Sequence, residues 1–187
     1  MGCTGLTTIT LPNTITTIES AAFERCFSLK EITLSSNLIT IERNAFWMCT
    51  ALESIIIPDS VTTLGSCAFE RCTSLTSVTL SSSISVINSN VFQDCRLLTT
   101  IILPNGLTTI DDLAFGNCSS LTSIVIPASV TTIGSEKLDE VAYVSPFYGC
   151  TSLNAILCRD APKSGWRRFW NYKNDSTYIY YMTGYTG

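Results

Sequence analysis

The cysteines are the residues of this 187-residue chain best equipped for chemistry, and seven of the nine fall in a spaced series. Cys3, Cys26, Cys49, Cys72, Cys95 and Cys118 follow one another at 23-residue steps, and Cys150 continues the series after one longer interval. Cys67 and Cys158 stand outside the series. Zinc sites need close ligand pairs such as C-x-x-C, which a 23-residue step does not supply. With no histidine in the chain, neither a mixed Cys/His site nor a Ser-His-Asp or Cys-His nucleophile can be assembled. Neighbours in a stacked column sit about 4.8 Å apart, close enough for a disulfide, but with side chains parallel rather than facing. An odd total leaves at least one thiol free in any pairing. The column therefore reads as buried, reduced thiols acting as small hydrophobes.

The remaining polar groups point the same way. Asp111 and Asp112 are adjacent, so on an extended segment they diverge. Glu24-Arg25 and Glu70-Arg71 precede a repeat cysteine and suggest surface ion pairs of small energetic value. Gly65, Gly134 and Gly149 form no G-x-G-x-x-G. Asn117-Cys-Ser119 and Asn174-Asp-Ser176 match the glycosylation sequon, which would be used only in a secreted protein of a glycosylating host. No catalytic residue, cofactor or metal ligand is expected, and the reading is of a protein that is not an enzyme.

The cysteine period is the period of the whole chain. With the cysteine as position 1, position 4 is leucine in Leu6, Leu29, Leu52, Leu75, Leu98, Leu121 and Leu153. Position 7 reads Ile9, Ile32, Ile55, Val78, Ile101, Ile124 and Ile156; position 9 reads Leu11, Leu34, Ile57, Leu80, Leu103, Ile126 and Cys158. Apolar residues two apart among Thr and Ser predict a short strand with one face inward. Position 10 is Pro12, Pro58, Pro104 and Pro127, with Ser35 and Ser81 between them. Proline cannot donate to a ladder and should end the strand. Positions 13 and 16 are apolar throughout (Val61 and Leu64, for example), predicting a second short extended segment. Ala-Phe at positions 20 and 21, as in Ala68-Phe69, predicts a tight return turn with its ring under the core. One coil alone cannot bury this set; stacking buries it.

The pattern Ala-Phe-x-x-Cys-x-x-Leu-x-x-Ile-x-Ile-Pro-x-x-Val-Thr-x-Ile resembles the BspA-like leucine-rich repeats over residues 3 to about 158. The resemblance implies a β-rich, leucine-rich-repeat-like solenoid of about seven coils at the same 23-residue period, with parallel strands and little helix. It also implies a family found on bacterial cell surfaces and in parasitic protists, some members being adhesins for host matrix proteins. It supplies no ligand and no functional residue.

Two segments leave the register. Between Ile133 and Phe147 there are nine surplus residues, about 136–144, the densest charged patch of the body, carrying Tyr143. A surface loop and a protruding contact element are both open readings. After Cys158 come Trp166, Phe169, Trp170 and a Tyr-rich run, holding eight of the chain's 18 aromatics. This divides the chain into a solenoid over 1–158 and an aromatic C-terminal cap over 159–187, because an uncapped end exposes core and strand edges. Charge divides likewise: −7 over residues 1–158 and +3 over 159–187. A net charge of −4 argues against a nucleic-acid partner. No run approaches the ~18 apolar residues of a membrane span. The first residues lack the basic and apolar regions of a signal peptide and enter the repeat directly, as a piece of a longer chain would.

What remains for function is surface. Position 8 faces outward on the strand and reads Thr10, Thr33, Ile56, Thr79, Ile102, Val125 and Leu157, polar first and apolar later. Strand propensity accounts for the β-branched members and less well for Leu157. The alternative is a partner-binding column of Ile56, Ile102, Val125 and Leu157, extended by Tyr143 or by Trp166 and Trp170. The chain is thus read as a non-enzymatic protein–protein interaction module, extracellular or at the cell surface and adhesin-like. The rival reading is a structural protein that self-associates through open solenoid edges.

Overall fold

The computed structural model describes residues 2–134, 145–164, 166, 172–174, 177–178 and 180–183. It is a solenoid of short parallel strands whose paired positions recur at the 23-residue step, and no helix occurs among the described residues. Strands of the first limb are β1 (Thr8–Thr10), β3 (Glu31–Thr33), β5 (Ser54–Ile56), β7 (Ser77–Thr79), β10 (Ser123–Ile126) and β12 (Ala155–Cys158). Those of the second limb are β2 (Thr17–Ile18), β4 (Thr40–Ile41), β6 (Thr63–Leu64), β8 (Val86–Ile87), β9 (Thr109–Ile110) and β11 (Thr132–Ile133). Beyond Cys158 lie β13 (Tyr172–Asn174), β14 (Thr177–Tyr178) and β15 (Tyr180–Met182).

Each first-limb strand shows the alternation read from the sequence: in β3 and β5 the central Ile32 and Ile55 are buried between exposed neighbours. Paired strands keep the register of the repeat, Ile9 with Ile32 and Ile55 with Val78. Among the described residues five coils carry strands on both limbs, fewer than the seven coils expected. The fifth coil has no first-limb strand among the described residues, and its Thr100 to Leu103 are unbonded to either neighbouring coil. Beyond β11, Ile133 forms a parallel bridge with Trp166. β15 lies parallel to β12, with Ile156 opposite Tyr181, so the chain returns to the first-limb sheet after Cys158. The proposed cap over 159–187 includes that strand and Trp166; Phe169, Trp170 and the 136–144 insertion with Tyr143 lie outside the described residues.

The return limb is built differently from either strand limb. Two residues per coil adopt the left-handed region, and they are not glycines: Ala21 and Arg25, Asn44 and Met48, Cys67 and Arg71, Asn90 and Asp94, Leu113 and Asn117, with φ from 53° to 64°. A non-glycine residue held there costs of order 1 kcal/mol or more, so something must repay it. With these two residues set four apart, every second N–H of the limb bonds to the next coil. Ala21, Phe23 and Arg25 donate to the carbonyls of Arg43, Ala45 and Trp47 one coil on, and the pattern repeats as far as Asn117 to Tyr148. Gly149 at φ 76° closes the series, and any Cβ there would strike the Asn117 side chain.

Beneath this limb the phenylalanines form a continuous ladder: Phe23, Phe46, Phe69, Phe92, Phe115 and Phe147. Successive centroids are 5.1 to 5.8 Å apart, with rings within 14° of parallel. Each such pair contributes about 0.5–1.5 kcal/mol beyond its buried area.

A candidate binding surface at a break in the strand face

The cysteine column has a structural job. The thiols of Cys49, Cys72, Cys95, Cys118 and Cys150 donate to the carbonyls of Phe23, Phe46, Phe69, Phe92 and Phe115, one turn back along the solenoid, at 3.0 to 3.3 Å. All nine cysteines are free thiols, and those from Cys26 to Cys150 in the column are buried. Burial pushes the Cys49 thiol up to about 12, and those of Cys72, Cys95 and Cys118 well above their ordinary 9.0. Such groups stay protonated at neutral pH and are poor nucleophiles. Cys67, outside the column, is pushed up to about 11, by burial and then by Glu70.

The acidic candidates are equally occupied. Asp111 accepts the Ser89 hydroxyl at 2.8 Å and the N–H of Asp112 at 2.8 Å. Glu42 does the same for both Ser20 N–H and hydroxyl. Glu24–Arg25 and Glu70–Arg71 pair at 3.6 and 3.7 Å, at part-exposed positions. Among the described residues no three acidic or thiol groups gather closely enough to hold a metal ion.

The strand face offers something else. Its hydrogen bonding follows the alternation of proline and serine at position 10. Where a Pro coil is followed by a Ser coil, the two lock together: Leu11 N–H bonds Thr33 C=O and Ile57 N–H bonds Thr79 C=O, each at 2.9 Å. The residue after the proline completes the lock. Asn13 Oδ1 accepts the Ser36 N–H at 3.1 Å, and Asp59 Oδ1 accepts the Ser82 N–H at 2.8 Å and its hydroxyl at 2.9 Å. These Ser82 bonds hold the Asp59 carboxyl below its ordinary range. The first serine is buried, and the Ser81 hydroxyl bonds Val61 C=O at 2.6 Å. Coils one and two, and three and four, are thus couples.

At the fifth coil the alternation fails, because Pro104 is followed by Pro127 and Ala128. Among the described residues, Thr100 to Leu103 make no backbone hydrogen bond to either neighbouring coil, and β7 and β10 belong to separate sheets. A lesser break separates β3 from β5. A groove of about 570 Å³ opens at the fifth coil, lined by Thr79, Ser82, Ile102, Asn105, Val125 and Arg159 among others. Ile102 is 86% exposed and Ile56 71%.

Of the residues singled out from the sequence, Ile102 and Val125 line this one groove. Leu157 lies beside Val125 in register and, like it, is half-buried. Ile56 stands across Thr79, its partner on β7. Trp166 is placed on the other limb, where it packs against the core and donates its indole N–H to Val130 C=O at 3.4 Å. Tyr143 and Trp170 lie outside the described residues. Arg159 and Asn105 were not singled out from the sequence; the signal that marks their neighbourhood is the second consecutive proline, Pro127.

Stacked 23-residue coils with Leu-x-x-Ile-x-Ile strands define a leucine-rich repeat protein. The model of the BspA type leucine rich repeat region matches in six copies, over residues 1–95 and 40–157, and the chain belongs to that family. A leucine-rich repeat protein of T. pallidum is 30% identical, with a TM-score of 0.58 over 64% of this chain and 52% of its own. One from Eubacterium ventriosum is 31% identical, with a TM-score of 0.58 over 69% of this chain and 41% of its own. One from Bacteroides ovatus is 26% identical, with a TM-score of 0.54 over 84% of this chain and 56% of its own. The chain therefore spans about half the length of these structures. Among curated proteins, none matches the chain. No helix among the described residues is long and apolar enough to cross a membrane.

Proposed function

We propose that this chain is a non-enzymatic protein-binding solenoid, surface-exposed and adhesin-like, which engages its partner through the strand face around the fifth coil. The observation that carries the reading is Ile102, a large apolar side chain left 86% exposed at the mouth of a groove shared with Val125. Buried aliphatic anchors at the centre of an interface carry much of its energy, often above ~1 kcal/mol each on truncation. Membership of a repeat family with cell-surface adhesins supports the location and the class of partner.

The test replaces Ile102 and Val125 together with threonine, which keeps the β-branched shape. Binding to immobilised matrix proteins and to host cells should fall about tenfold or more, the equivalent of ~1.4 kcal/mol. Thr33→Ala should change it little. Equal binding by parent and double variant would move the site to the insertion or the tail. Absence of binding together with concentration-dependent polymers in light scattering would favour self-assembly instead.

A further inference from the structure

Asn105 and Gly106 form the only Asn-Gly pair in the chain, at the rim of the groove. They occupy the centre of a turn closed by Leu107 N–H to Pro104 C=O at 3.0 Å, and both are exposed. At the matching place in the first and third coils, Asn13 and Asp59 have their side-chain oxygens tied to the next coil. Other asparagines are restrained in their own ways. Asn37 donates to Asn13 C=O at 3.0 Å, Asn88 donates to Leu64 C=O, and Asn117 is pressed against Gly149. The Asn105 carboxamide has no hydrogen bond among the described residues, because its coil is not locked to the next. Gly106 is also not a conformational necessity. Its φ is outside the left-handed region, and a Cβ there would meet only Ser82 O, at 4.0 Å.

We propose that Asn105 is a site of spontaneous deamidation that rewrites the charge of the groove. The Gly106 backbone nitrogen, losing its proton to solvent base, attacks Asn105 Cγ and forms the C–N bond of a five-membered succinimide. The carboxamide C–N bond breaks, and its nitrogen leaves as ammonia carrying a proton from solvent. Water then adds to one of the two imide carbonyls, giving aspartate or isoaspartate; nothing is oxidised or reduced. Glycine as the following residue leaves the attacking nitrogen unhindered and the turn free to reach the cyclising conformation. The product places a carboxylate in a groove whose one ionised lining residue, among the described residues, is Arg159. The covalent step is independent of what the groove binds, so its test does not depend on the proposed function.

The full chain is incubated at 37 °C at pH 8 and at pH 5, digested at low pH, and its peptides are resolved by mass spectrometry with isoaspartate detection. Conversion at Asn105 should exceed that at Asn13, Asn37 or Asn117 by about tenfold, and be faster at pH 8. Gly106→Ala should slow it about tenfold, through hindrance by the added Cβ. Circular dichroism of Gly106→Ala, expected to match the parent, shows that the fold is kept. Conversion at another asparagine first, or an equal rate in Gly106→Ala, would overturn the proposal, as would an Asn105 intact when those controls have begun to convert.

Discussion

The return limb and the first strand limb run side by side through the same coils, yet only one is continuous. On the return limb each coil from Ala21 to Tyr148 is hydrogen-bonded to the next among the described residues, over an unbroken stack of six phenylalanines. On the strand limb the sheet is cut after β3 and again on both sides of Thr100–Leu103. The return limb keeps its ladder while its side chains vary (Ala21, Asn44, Cys67, Asn90 and Leu113 share one conformation), since the bonds come from backbone geometry. The strand limb varies with the residue at position 10, and it is open where two prolines follow one another. The scaffold is held on one side, and on the other the sheet is interrupted.

The sharpest way to break this comparison is to remove a rung of the spine. Phe69 is fully buried between Phe46 and Phe92, so Phe69→Ala should cost about 3–5 kcal/mol, from lost transfer energy plus the cavity left behind. Ile102→Ala, at an exposed site on the other limb, should fall within ~0.5 kcal/mol of the parent. Urea unfolding of both variants measures the contrast. Similar losses would show that the load is shared between the limbs.

Alkali provides an intermediate perturbation. A thiol whose folded pKa is raised holds more protons folded than unfolded, so its contribution is intact below pH 9 and is lost as pH rises toward its folded value. Cys49 places that window between 9.0 and about 12, and the raised Cys72, Cys95 and Cys118 thiols act in the same direction. Thermal midpoints should be level up to pH 9 and then fall. Cys95→Ala should shallow the alkaline slope while losing about 1 kcal/mol at neutral pH with its hydrogen bond to Phe69 C=O. An unchanged slope would assign the alkaline loss to other groups.

The smallest expected effect sharpens the account of the strand limb. Pro127→Ser with Ala128→Ser gives the sixth coil the character of the second and fourth, so that the N–H at position 128 should reach Asn105 as those of Ser36 and Ser82 reach Asn13 and Asp59. Stability should rise by about 1 kcal/mol, the net worth of a hydrogen bond or two. Amide exchange at Thr100 to Leu103, expected to be fast in the parent, should slow. If exchange there is as fast in the variant, the proline succession is not what opens the groove.

Much of this was written into the sequence. A 23-residue period, an inward Leu-x-x-Ile-x-Ile and a recurring Ala-Phe decide burial residue by residue, because apolar side chains at those spacings can leave water only by stacking coil on coil. The buried cysteine column follows from the same period. Even the groove leaves a trace in the sequence, as Pro127 standing where Ser35 and Ser81 set the expectation of a serine. What the period could not decide is which backbone groups meet. That the return limb takes two left-handed residues per coil, that the thiols reach phenylalanine carbonyls, and that among the described residues Asn105 lacks the partner Asn13 and Asp59 have all depend on the geometry between coils. Hydrogen bonds are set by ångström-scale distances and angles between groups a whole coil apart in the chain, and a pattern of residue types carries no such distances.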